Sequence, residues 1–154
     1  MARMIKHIVY NYSKNNRIAN IELDVDLSRF ERQYQQAQYI LDSTIMTQML
    51  IFMPMQTGTF INVTKEMSAA LAGTGTVVAA TPPFGRFLYE GKGMVDEVTG
   101  SPWARKGAKK VAIDKDLVYS KNAHPEVTDH WFDKAEKRYG NNWIKMTKRT
   151  AGGG

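Results

Sequence analysis

One apolar stripe limits most of what this chain can become. Leu27, Phe30, Tyr34, Ala37, Leu41, Ile45 and Met49 recur at spacings of three and four residues, the period that gathers side chains on one face of an α-helix. Ser28-Arg29-Phe30-Glu31 reads as a capping box at the start of that helix. Gln33, Gln35, Gln36, Gln38, Asp42 and Gln48 fill its other faces. The stripe stops near Phe52, where Pro54 disfavours the α conformation for Met53. Gly58 then takes φ > 0 at little steric cost, as a turn requires. The spacing predicts a long helix over about 28–52, a turn, and a strand at Thr59–Lys65. Phe60 and Ile61 break the alternation of that strand and leave its buried face open. Met46, Met49, Met53 and Met55 are core filler or an adaptable partner surface.

Ahead of the helix, Ile21, Leu23, Val25 and Leu27 alternate with Glu22, Asp24 and Asp26, the pattern of a half-buried strand. Its three carboxylates share a face, which a solvated strand explains more simply than a cation site. Residues 4–10 are β-rich and suit an edge strand, and Asn11–Arg17 reads as a polar turn. Downstream, Gly73-Thr74-Gly75-Thr76 lacks the Lys-Ser/Thr and spacing of a phosphate loop and predicts a hairpin turn into a strand at Thr76–Ala80. Pro82-Pro83 stops that strand. A short helical turn over Phe84–Tyr89 places Phe84, Phe87 and Leu88 on one face, with Gly91 to end it, and Arg86 and Glu90 within pairing distance. Lys92–Lys110 is a long basic loop, and Asp116–Ser120 suits a strand. His124-Pro125 introduces a helix over about 126–139 on which Val127, Trp131, Ala135 and Tyr139 share a face, and Asp133 and Lys137 form an i,i+4 pair. Gly140 ends it, and a last helix over about 142–149 carries Trp143, Ile144 and Met146. The fold class expected is α+β: a small antiparallel sheet packed with one long helix and two C-terminal helices. Residues 1–150 form a single domain, and 151–154 a flexible tail.

The 154 residues suit one compact core. Without cysteine there is no disulfide framework and no thiolate metal site. No apolar run at the N-terminus is long enough for a signal peptide or a membrane span, so an intracellularly made protein is expected. The net charge of +6 sits wholly in residues 101–154, which carry 12 Lys and Arg against 6 Asp and Glu. Basic ends attract nucleic acid or acidic partners, and they also occur as plain solvated helix faces.

Chemistry is hard to find. His7, His124 and His130 have no partner at metal-ligand spacing. Asp129-His130 are adjacent in sequence, so they point apart on a helix, and no nucleophile elbow accompanies them. No glycine pattern for dinucleotides follows a strand. No enzyme, metal or cofactor is expected. For the Trp103-Ala104-Arg105-Lys106-Gly107-Ala108-Lys109-Lys110 segment three readings stand side by side: phosphate contact with base stacking, an ordinary basic loop, or docking on an acidic subunit.

Three blocks, in order, resemble the minor capsid proteins of tailed bacteriophages that join head to tail. Phe52-Met53-Pro54-Met55-Gln56-Thr57-Gly58-Thr59 follows a helix as the family's Pro-Met-x-Thr-Gly-x-Leu does. Thr81-Pro82-Pro83-Phe84-Gly85-Arg86-Phe87-Leu88-Tyr89-Glu90-Gly91 is similar to its Pro-Tyr-Ala-Arg-x-x-Tyr-x-Gly. His124-Pro125-Glu126-Val127-Thr128-Asp129-His130-Trp131-Phe132-Asp133-Lys134-Ala135 is similar to its His-Pro-x-Ala-x-x-His-Trp-Phe-x-x-Ala-Lys. Phe60 stands where leucine is usual, and Phe84-Gly85 where Tyr-Ala is. The resemblance spans about residues 27–150 and singles out Pro54, Thr57, Gly58, Pro83, Arg86, Tyr89, Gly91, His124 and Pro125 as its structural motif. It implies a virion protein of the neck, made in the bacterial cytoplasm. Copies of it form a ring, typically six-fold, between the portal and head connector on one side and the tail terminator or tail tube on the other, and the genome passes through. No membrane is involved. The alternative is a small basic nucleic-acid-binding protein. Interfaces then replace a pocket, with Trp103, Arg105, Lys106, Lys109, Lys110, Trp131 and Trp143 as candidate contacts. For Trp131, Phe132 and Trp143 the competing expectation is closure of the subunit's own core.

Overall fold

A computed structural model describes residues 5–14 and 17–153, with side chains from Leu27 onward. The chain is α+β. An antiparallel ribbon of β1 (Ile5–Lys14) and β2 (Arg17–Asp26) runs in unbroken register from Ile5 opposite Asp26 to Lys14 opposite Arg17. The polar turn expected at Asn11–Arg17 is therefore much shorter, since β1 continues through Lys14; its tip, like Met4, lies outside the described residues. The expected faces of β2 and any role of His7 concern side chains outside the described set.

The long helix forms as the stripe dictates. α1 (Ser28–Met49) runs into a 3-10 turn at Leu50–Phe52, and Met53, extended at φ −80° and ψ 145°, leads into Pro54. The capping box is offset: Leu27 holds the N-cap position, its carbonyl accepts from Glu31 N, and Ser28 is the first helical residue. The stripe's N-terminal members Phe30 and Tyr34 are exposed, so burial begins at Ala37 and recurs at Met46 and Met49.

Thr59–Leu71 is a helix, α2, and not the expected strand. The β-branched composition that suggested a strand is overridden by packing. Ile61, Thr64 and Ser68 are buried at spacings of three and four, and the Thr64 hydroxyl donates to the Phe60 carbonyl 2.8 Å away while also meeting Thr81 Oγ1 at 3.0 Å. Thr76–Ala80 is no strand either. Side chains satisfy its centre: Ser68 Oγ accepts from Val78 N and donates to Val78 O, each at 3.0 Å. The Gly73–Thr76 turn thus links a helix to a single segment and closes no hairpin. α3 (Gly85–Glu90) ends at Gly91 as expected, in the left-handed conformation at φ 67°. Phe84 is exposed, Leu88 packs against the core and half-buried Phe87 does not join it, and no Arg86–Glu90 ion pair forms among the described residues.

The expected loop at 92–110 is a hairpin. β3 (Lys92–Asp96) pairs antiparallel with β4 (Lys110–Asp116), and the connecting loop covers only 97–109. Leu117–Ser120 lies past the strand that was expected to begin at Asp116. The C-terminal helix starts later than predicted and is not divided: α4 (Trp131–Thr150) continues through Gly140. His130, at φ 43°, blocks helical continuation before Trp131. A mid-helix glycine costs about 1 kcal/mol relative to alanine, which packing on α1 outweighs. Thr44 and Gln48 of α1 meet Met146 and Trp143 of α4, and Arg138 lies 4.9 Å over the Phe52 ring, so the two helices run antiparallel. Among the described residues no Asp133–Lys137 ion pair forms; Asp133 Oδ1 instead accepts from the Tyr89 hydroxyl. The expected flexible tail is in part tied down. Ala151, Gly152 and Gly153 donate back to the carbonyls of Thr147, Arg149 and Lys148. The core is Met46, Met49, Phe52, Met53 and Ile61 from the first half, closed by Trp131, Ala135 and Trp143 from α4.

Candidate functional site

The three sequence blocks meet at one node. His124 Nδ1 lies 2.8 Å from the Met53 carbonyl, and Thr128 N donates to Phe52 O at 3.0 Å, which ties the third block to the first. His130 N donates to Tyr89 O at 2.9 Å and ties the third to the second. The fully buried Trp131 stands between them. Its indole donates to Ala79 O at 2.9 Å, and its ring meets Phe60 and Tyr89 edge-on at 5.9 and 4.9 Å. Tyr119 donates to Leu88 O, and Leu117 N to Gly91 O. Burial, with the Asp133 charge next in weight, pushes the Tyr89 phenol up to about 12. Burial and the charge of Asp129 do the same for Tyr119. Both stay neutral structural donors across the physiological range.

Glycines supply the backbone at two edges of the node. Gly58, at φ 80°, is the N-cap of α2, so its left-handed turn starts a helix where a strand was expected. At Gly91 a Cβ would come within 2.9 Å of Asp129 Cβ, so the node closes only around a bare Cα. Thr57 Oγ1 bonds Thr59 Oγ1 at 3.2 Å. Pro83 follows Pro82 through a cis bond. Pro125 lies in the tight turn that Val127 N closes onto His124 O. The motif residue Arg86 is the exception: it is exposed and has no hydrogen-bonding or ionic partner among the described residues.

The second feature is the loop of the β3–β4 hairpin, which is knotted around one carboxylate. Asp96 is 1% exposed. Its Oδ1 accepts from Val98 N at 2.9 Å and Thr99 N at 3.0 Å, and its Oδ2 from Arg105 N at 3.3 Å. The Arg105 guanidinium adds bonds of 3.0 and 3.2 Å from Nε and Nη2. These hydrogen bonds, the guanidinium's foremost, hold the Asp96 carboxyl well below the usual carboxylate range and raise Arg105. The knot leaves Trp103 outside, 85% exposed, beside exposed Lys106 and Lys109; Lys110 Nζ donates to Pro102 O at 2.7 Å.

The candidate contact residues therefore separate. Trp131 and Trp143 are core, Trp143 donating to Gln48 Oε1 at 2.6 Å, so neither offers a surface on this chain. Arg105 is engaged inside its own loop. Trp103, Lys106, Lys109 and Lys110 cluster on the hairpin. Sequence reading missed Asp96, for which an acidic residue before a Gly-containing loop with an Arg beyond it was the available signal. It also missed Asp42. This buried carboxylate accepts from Gly73 N at 2.8 Å and Gly75 N at 3.0 Å, so the glycine-rich turn does hold an anion, supplied by α1. Among the described residues no group of three or more His, Asp and Glu could hold a metal, and no helix is long and apolar enough to cross a membrane. No family model, curated protein or solved structure matches this chain.

Proposed function

We propose that this chain is a structural subunit of the neck of a tailed bacteriophage, closing with copies of itself into a ring that joins the head connector to the tail and lets DNA through. The observation that carries this reading is the node. Segments separated by tens of residues, which together resemble the head–tail joining proteins, engage one another: His124 with Met53, Thr128 with Phe52, His130 with Tyr89. Such residues specify a scaffold, and a scaffold acts through its surfaces. The two narrow β-ribbons, which pair with no third strand among the described residues, suit arms that reach a neighbour, since a two-stranded ribbon alone is marginal in water. Heterologous contacts between identical copies close into a ring where the rotation permits.

A phage unable to make the protein should accumulate filled heads and finished tails that do not join, and a labelled copy should lie at the neck of intact particles. Joined, infectious particles made without the protein would overturn the reading.

A further inference from the structure

We infer that a groove between α3 and the β3–β4 hairpin binds the phosphodiester backbone of a nucleic acid strand. The groove has a volume of about 650 Å³. Arg86 contributes a cation from one side, and Lys109 and Lys110 two from the other, over an apolar wall that includes Pro82, Pro83 and Phe87; no carboxylate lines it. The Arg86 and Lys109 side chains have no polar partner among the described residues. Lys110 uses one of its three donors on the Pro102 carbonyl, which leaves two and anchors the loop beside the groove.

The Asp96 knot makes the arrangement selective. By engaging Arg105 it pairs that charge and fixes the loop, so the cations left to a ligand in the groove are Arg86, Lys109 and Lys110. The guanidinium and the ammonium groups match phosphate oxygens. Trp103 favours a nucleic acid over an acidic peptide: an indole 85% exposed in the same loop as Lys106 and Lys109 offers a face on which a base stacks, an interaction that a run of carboxylates does not use. Groove cations and the exposed Trp103 carry the inference, which stands whether or not the chain closes into a neck ring.

The test is fluorescence anisotropy of the full chain with a labelled single-stranded DNA and a duplex of the same length, over a salt series. Binding should weaken with salt. The Arg86→Gln, Lys109→Gln double variant should lower the slope on duplex by roughly 0.9 for each phosphate that is no longer neutralised. Trp103→Ala should weaken the single strand roughly tenfold and the duplex less. Lys65→Ala removes a charge outside the groove and should change neither. Both groove residues are exposed, and an unchanged thermal transition in the double variant reads out folding separately. Absence of DNA binding, an unchanged slope in the folded double variant, an equal loss in Lys65→Ala, or displacement of DNA by polyglutamate as readily as by unlabelled DNA would each overturn the inference. Groove-dependent binding by a protein that phage particles do not need would leave the groove standing and remove the neck reading alone.

Discussion

The node around Trp131 and the loop around Asp96 are each held by a single central side chain, and they are held by opposite physics. Trp131 is an apolar ring with one neutral donor, fully enclosed and touched by segments from distant parts of the chain. Asp96 is a charge whose five hydrogen bonds all come from its own hairpin. The first couples distant segments, so its loss is global. The second orders only what lies between its own strands, so its loss is local. Salt and acid should distinguish them as well, because hydrophobic burial does not titrate.

The largest expected effect is at Trp131. Trp131→Ala should cost about 3–5 kcal/mol, the usual range for deleting a large buried aromatic, measured as a fall in denaturant midpoint with cooperative unfolding of the whole chain. A loss confined to one segment would break the contrast. Next is Gly58→Val, which forces a β-branched residue to φ 80° and should cost about 1–3 kcal/mol; soluble yield and midpoint check it. Asp96→Asn should leave the global transition almost where it is while amide exchange in residues 97–109 speeds up. The pH dependence has a definite sign. A carboxyl whose folded-state pKa is depressed adds stability above its ordinary pKa of about 3.9 and loses it as pH falls toward the folded value. Loop protection should therefore be flat from neutral pH to about 4 and decay only below, and Asp96→Asn should abolish that acid limb. The smallest effect is expected at the half-exposed Glu126–Arg138 pair. Glu126→Gln should give no thermal shift a scan resolves, since exposed ion pairs contribute little.

What was legible in the sequence was what is decided locally. The long helix, the exit before Pro54 and the left-handed glycines 58 and 91 follow from period and backbone sterics, although the stripe is exposed at Phe30 and Tyr34 and Gly58 opens a helix in place of the strand. What was misread depended on partners far along the chain. Thr59–Lys65 carries β-formers, and only the buried face of Ile61, Thr64 and Ser68 makes it helical. Gly140 reads as a helix end until Trp143 is seen packed on α1. Asp42 and Gly73 are 31 residues apart, and nothing local announces that one caps the other's turn. At the candidate site, the basic character of the hairpin was plain and core closure by Trp131 was one of its two expected roles, but the capture of Arg105 was not legible. Charge is countable in a sequence, whereas its neutralisation depends on which carboxylate folds back to meet it.

The antiparallel packing of α4 on α1 also sets a schedule. Trp131 closes a core whose other members come largely from residues 46–61, so the bonds that complete it span long stretches of chain. Non-local closure of this kind is slow and cannot precede synthesis of the segment that supplies it. While the chain is still on the ribosome, the part of the methionine-rich face of α1 that α4 covers must therefore wait until α4 emerges. A chaperone that shields such a face has its longest opportunity there, and a pause in translation just before the Trp131 codon would prolong it.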